Sequence, residues 1–177
     1  MTAVIHLRST TNCPNTPRVL VALEDTSTPY AITPVPDGTF TARYGIPGPE
    51  LTDGDLVVVE IGAVIRHVAR AYGAGTLWPA DLRGQAEVDR WYELMRRLSA
   101  AAGAGADAAR PLLERLDAQL AGNDWLVGPF TMADCAFVAA LPMRSKLPLD
   151  GVPRFAAYLE RLAARPSVVR ALARVPR

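Results

Sequence analysis

An α/β unit followed by an all-helical unit is the fold class this sequence predicts, and three observations predict it. Short apolar runs of strand length alternate with a helix-period segment over roughly the first 75 residues. From Leu82 onward no strand pattern competes with apolar residues at helical spacing. Half of the 177 residues are hydrophobic and 21% are charged, enough for a chain of this length to bury a real core.

The elements follow in order. Val4–Leu7 is an apolar run suited to a buried strand. Cys13-Pro14-Asn15-Thr16-Pro17 opens a helix, because proline suits a first turn whose N–H has no intrahelical partner. That helix runs through Glu24 and stops at Thr26-Ser27-Thr28-Pro29. Tyr30–Val35 is a second strand, which Pro34 and Pro36 confine to an edge or a short length. The stretch from Pro36 to Gly48 carries turn residues without periodicity and reads as irregular. Asp53-Gly54 between apolar segments marks a hairpin leading into Leu56–Val59. Ile61, Val64, Ile65 and Val68 then recur at helical spacing.

In the second half, Arg83–Ser99 is amphipathic, with Val88, Trp91, Leu94, Met95 and Leu98 on one side. Gly103 and Gly105 predict that this helix ends or frays within Ala100–Ala106. Leu112, Leu113, Leu116 and Leu120 mark another helix, ended by Gly122. Thr131 with Asp134 three residues on has the form of a capping box, with Phe130 as its staple. Pro166 divides two last helices, Arg154–Ala164 and Ser167–Arg174. The domains expected are therefore 1–75 and 82–177.

Composition excludes some functions. Nineteen Lys and Arg against 18 Asp and Glu give a net charge of +1, so the chain has no bulk positive charge for nucleic acid. No apolar run approaches the ~20 residues that span a bilayer. Met1–His6 lacks the pattern of a secretory leader, so a cytoplasmic location is the expectation. Two cysteines, Cys13 and Cys135, cannot build a disulfide scaffold. His6 and His67 have no partner at metal-ligand spacing, so no metal site is expected. Cys135, in the apolar run Ala133–Ala140, reads as inert core, and Trp78, Trp91 and Trp125 read as packing.

Four segments together resemble the glutathione transferase superfamily. Pro49-Glu50-Leu51, with the hairpin and Glu60-Ile61-Gly62-Ala63, looks like its cis-proline, hairpin and glutathione-binding helix. Leu77-Trp78-Pro79-Ala80-Asp81 looks like its interdomain connection, with Trp91 in the helix that follows. Gly128–Asp134 is similar to its helical-domain capping motif, and Pro153–Val168 to its C-terminal helices. The resemblance covers nearly the whole chain. It implies a thioredoxin-like N-terminal domain followed by a helical C-terminal domain, in a shortened form of the glutathione transferase fold.

The resemblance also implies a site. Cys13 lies where the family places its catalytic residue, and Cys-Pro there is similar to the cysteine-type, omega-like members. Those favour thiol–disulfide exchange, deglutathionylation and reductive dehalogenation. A thiolate facing a helix N-terminus is favoured by the macrodipole, which fits that chemistry. Gly48 and Pro49 would supply backbone bonds to the cysteinyl part of glutathione. Glu60 would meet its γ-glutamyl ammonium, and the helix start at Ile61 its carboxylate. Ser9, Thr10 and Thr11 are reserve hydroxyls.

Two departures stand out. The family usually has Ser where this chain has Ile61, so a hydroxyl is missing. The helix between the second strand and the cis-proline, which carries part of the glycyl carboxylate site, has no signal here, and the helices after Trp91 look clipped. The reading is therefore an enzyme acting on a small electrophile with glutathione or another small thiol as cofactor, working as a homodimer without nucleic acid or membrane. The alternatives are a non-catalytic binding or assembly module of the same fold, or a biosynthetic enzyme that no longer uses glutathione.

Overall fold

The computed structural model describes residues 4–11 and 13–176; the segment Met1–Ala3, read above for a leader, lies outside them. The chain divides into two compact units. One comprises residues up to Gly73 together with those from Pro166 on, and the other is Ala74–Arg165.

The first unit is built on β1 (Ile5–Thr10), α1 (Thr16–Asp25), β2 (Tyr30–Val35), α2 (Thr39–Tyr44), β3 (Glu50–Asp53), β4 (Leu56–Val58) and α3 (Ile61–Tyr72). The sheet order is β2-β1-β3-β4. β1 pairs parallel with β2 and antiparallel with β3, and β3 pairs antiparallel with β4. A parallel β1–β2 pair needs a crossover, and α1 supplies it. β2 lies at the sheet edge, where a strand tolerates Pro34. Ile5, Leu7, Leu51, the Val19–Leu23 run, Val64, Ile65 and Val68 are all fully buried and form this unit's core.

Three expectations are corrected in this unit. β1 extends to Thr10 rather than stopping at Leu7, because pairing with β2 continues to Thr10↔Val35. α1 starts at Thr16, three residues after Cys13. A short helix, α2, stands in the stretch read as irregular. It is one and a half turns long between Gly38 and Gly45, both left-handed, and buries only Phe40, so it has no periodicity to detect.

The second unit contains α4 (Leu82–Ala104), α5 (Ala106–Gln119), α6 (Met132–Phe137), two 3-10 turns, and α7 (Pro153–Ala164). α4 packs on α5 and α6, and α5 on α7. The expected clipping after Trp91 is corrected: α4 runs 23 residues and passes through Gly103. A run of alanines, the best helix formers, outweighs one glycine costing about 1 kcal/mol, and the break comes at Gly105 with φ +120°. The carboxylate of Asp134 is fully buried and accepts from Leu126 N (3.1 Å), Thr131 N (2.9 Å) and Tyr158 Oη (3.1 Å). Asp117 of α5 caps α7 by accepting from Arg154 N (2.6 Å) and Phe155 N (3.0 Å).

The last helix, α8 (Pro166–Ala173), belongs with the first unit, so the expected helical domain 82–177 loses its end. The reason is both apolar and ionic. Val168 and Ala171 are buried as α8 packs on α1, and buried Glu24 accepts from Arg170 Nε at 2.7 Å and pairs with Arg174 Nη1 at 3.2 Å. Ser167 Oγ donates to Asp25 at 2.9 Å. Among the described residues, no helix is long and apolar enough to cross a membrane.

Candidate functional site

The chain leaves β1 through a tight turn. Cys13 N donates to Thr10 O at 3.4 Å, and Thr16 N donates to Cys13 O at 3.2 Å. Cys13 therefore sits ahead of α1 and not in its first turn, where the macrodipole acts most strongly. Its side chain is nearly covered, at 4% exposure, and Sγ lies 4.0 Å from Pro47 O. Cys135 is fully buried in α6.

Pro47-Gly48-Pro49 is the facing loop, and the Gly48–Pro49 peptide is cis. Asn15, the residue before α1, donates from Nδ2 to Gly48 O at 3.1 Å. Sequence reasoning did not single out Asn15. The only signal was an amide two residues after the cysteine, with no pattern to say what it would reach.

Gly48 is required on two grounds. Its φ is +92°, and a Cβ there would stand 2.3 Å from Cδ2 of Phe40, which α2 buries to 1% exposure. The short helix thus backs the loop. Immediately after Pro49, Glu50 is anchored by Arg8 Nη1 at 2.7 Å and Tyr44 Oη at 2.5 Å. Burial acts to raise the Glu50 carboxyl, but these hydrogen bonds and the Arg8 charge hold it below its ordinary range.

The hairpin carries the second half of the site. β3 and β4 pair from Asp53↔Leu56 to Leu51↔Val58, and the chain then leaves β4 two residues before Glu60. Glu60 precedes α3 with φ +70° and ψ 117°, a conformation costly for a residue with a Cβ. It is exposed, and no side chain caps α3. The first intrahelical bond runs from Val64 N to Glu60 O at 2.9 Å, so the N–H groups of Ile61, Gly62 and Ala63 have no acceptor within the helix. Ile61 is half-buried at the first helical position, while Val64, Ile65 and Val68 form the core face.

The structure thus brings the Cys13 turn to the Pro47-Gly48-Pro49 loop, and the β3–β4 hairpin connects that loop to Glu60 and Ile61 at the start of α3. Of the three reserve hydroxyls, that of Ser9 is engaged within the fold. Ser9 is fully buried, donates to Thr10 O at 2.9 Å and meets Thr16 Oγ1 at 2.5 Å, so it is committed to the turn. His67, read as structural or surface, bonds Asp53 through Nε2 at 2.8 Å. Among the described residues no cluster of three or more His, Cys, Asp or Glu could hold a metal ion.

Residues 99–166 match the family described as "Glutathione S-transferase, C-terminal domain". The chain is 26% identical over 194 residues to Glutathione S-transferase 4 of Zea mays, covering 85% of this chain and 83% of that one. Among solved structures, glutathione S-transferase III in apo form is 27% identical with TM-score 0.76, covering 99% of this chain and 98% of that one. Glutathione S-transferase-I bound with lactoylglutathione is 25% identical with TM-score 0.74, covering 97% and 99% respectively.

Proposed function

We propose, on the premise that this chain belongs to the glutathione transferase superfamily, that it binds glutathione and uses Cys13 for thiol transfer on a small electrophile. The observation that carries this reading is the convergence of the Cys13 turn on the Gly48–Pro49 loop, held by the Asn15 hydrogen bond to Gly48 O.

Each part of the ligand has a counterpart. The γ-glutamyl carboxylate suits the open N–H groups at the start of α3, since a helix N-terminus attracts anions. The exposed Glu60 carboxylate suits the ammonium beside it. The backbone of Gly48 and Pro49 suits the cysteinyl amide, and strain at Glu60 is of the kind that persists at ligand sites. A structural neighbour bound with lactoylglutathione supports a glutathione derivative as the ligand class.

The chemistry is exchange at sulfur. The Cys13 thiolate attacks the glutathionyl sulfur of a mixed disulfide, a Cys13–glutathione disulfide forms, and the other thiol leaves and takes a proton. A second glutathione thiolate then attacks that disulfide, which releases oxidised glutathione and restores Cys13. Reduction or thiol-assisted isomerisation of an electrophile would begin from the same sulfur. The working unit is a homodimer in the cytoplasm, as is usual for the superfamily.

A second reading has its own observations. Ile61 offers no hydroxyl, and Cys13 is 4% exposed, both of which suit a binding or assembly module of the same fold. Calorimetric titration with reduced glutathione, on wild type and Cys13→Ser, separates them. The enzyme reading expects binding in the millimolar range and mixed-disulfide turnover that Cys13→Ser abolishes. No turnover in wild type, or no heat of binding up to tens of millimolar, favours the module, and turnover unchanged in Cys13→Ser would take the chemistry off Cys13.

A further inference from the structure

The connection from β4 to α3 is joined covalently at Glu60 and by side chains at its far end. Asp53, the last residue of β3, receives two side chains from the second half of α3 on one oxygen: Tyr72 Oη donates to Oδ2 at 2.7 Å, and His67 Nε2 lies 2.8 Å away. The two rings meet edge to face with centroids 6.4 Å apart. Tyr72 is exposed, while His67 and Asp53 are half-buried.

β4 runs away from the hairpin tip and α3 runs back toward it, so this cluster closes the far end of a lever whose near end is Glu60. A non-glycine residue at φ +70° and ψ 117° persists only when its surroundings over-determine it. Val64, Ile65 and Val68 fix the core face of α3, so loss of the contacts at its far end would leave the helix to rock on that face and shift the N–H groups of Ile61, Gly62 and Ala63. We propose that Asp53 is a positioning residue: by tying His67 and Tyr72 to the hairpin tip, it holds α3 against relaxation at Glu60 and keeps the helix start in place at the end of the hairpin. The ligand consequence rests on the glutathione reading above; the mechanical claim stands without it. Hydrogen bonds from His67 and then Tyr72 hold the Asp53 carboxyl below its ordinary range, so it remains an ionised acceptor for both.

The test is amide hydrogen exchange on wild type, Asp53→Ala, Glu60→Gly and the double variant, with glutathione affinity measured alongside. Asp53→Ala is expected to speed exchange at Val64 and its neighbours roughly tenfold, a typical coupling across a packed element. Exchange at Leu20 in α1 should not change. Glu60→Gly removes the strain that drives relaxation, so in that background Asp53→Ala should change Val64 exchange less than about twofold. Asp53→Asn, which still accepts from Tyr72, should give an intermediate effect, and it replaces Asp53→Ala if that variant fails to fold. Glutathione dissociation should rise about tenfold in Asp53→Ala. If wild type binds no glutathione, the functional reading fails while exchange still decides the clamp. The clamp is overturned if faster exchange is confined to the hairpin tip and residues 67–72, or if Asp53→Ala accelerates Val64 equally with and without the Glu60→Gly substitution.

Discussion

Substituting Gly48 by alanine tests how α2 and the cis-proline loop depend on each other. Two costs add. At φ +92°, a residue with a Cβ costs about 1–2 kcal/mol. The new Cβ would also stand 2.3 Å from Cδ2 and 2.8 Å from Cε2 of Phe40, a ring too buried to swing clear. Overpacking of that kind costs about 1–3 kcal/mol. The sum is about 2–5 kcal/mol, a fall in melting temperature of roughly 5–20 °C for a chain of this size. Gly54→Ala is the matched control, because Gly54 has φ +62° with nothing within 4 Å of an added Cβ. It carries the conformational cost alone. Urea denaturation of both variants should therefore leave Gly48→Ala less stable than Gly54→Ala by about 1–3 kcal/mol. If the two agree within about 0.5 kcal/mol, Phe40 does not back the loop and the role given to α2 is wrong.

Other outcomes follow from the same structure. Glu60→Gly should stabilise the protein by about 1 kcal/mol, since relieved strain of about 1–3 kcal/mol exceeds the added chain entropy of glycine, while glutathione binding weakens; a destabilised Glu60→Gly would contradict this. Burial pushes the Asp134 carboxyl up to about 6 from 3.8, so between those values the folded state holds the extra proton and this group's contribution declines as pH rises. Relative to Asp134→Asn, wild type should lose about 2–3 kcal/mol between pH 4 and 7, and a pH-independent difference would refute the assignment. Glu24 behaves oppositely: burial acts to raise it, but hydrogen bonds from Tyr30 and Arg170 and the Arg174 charge hold it low. Its contribution is present above about pH 4.5 and lost below, so Glu24→Gln should flatten the acid limb of stability and loosen α8. Alkylation should modify Cys13 slowly and Cys135 more slowly still, because both are covered; equal rates would count against the placement of Cys13 at the rim of a site.

The sequence carried the order of elements because most of them announce themselves by period or punctuation. Ile61, Val64, Ile65 and Val68 share a face, and Asp53-Gly54 forms a turn between paired strands. Where the signals are local and weak, the structure departs from the sequence pattern. α2 buries one side chain, and Gly103 proved no match for the alanines around it. α8 shows why domain boundaries cannot be read from continuity: a pair of arginines and two small apolar residues tie it to α1, far away in sequence. At the candidate site, Cys13, Gly48, Pro49 and Glu60 are legible through family resemblance. The contacts of Asn15, Phe40 and Asp53 are not, since they join segments well apart in the chain or meet at a hairpin tip, which no periodicity encodes.

The central claim is that the Cys13 sulfur exchanges with a glutathionyl group bound against Gly48, Pro49 and the start of α3. Incubating the folded protein with oxidised glutathione and mapping adducts by peptide mass spectrometry tests it directly. One glutathionyl group should appear on Cys13, none on Cys135, and Glu60→Ala should slow its formation. Modification of neither cysteine, or of Cys13 at a rate indifferent to Glu60, would contradict the account.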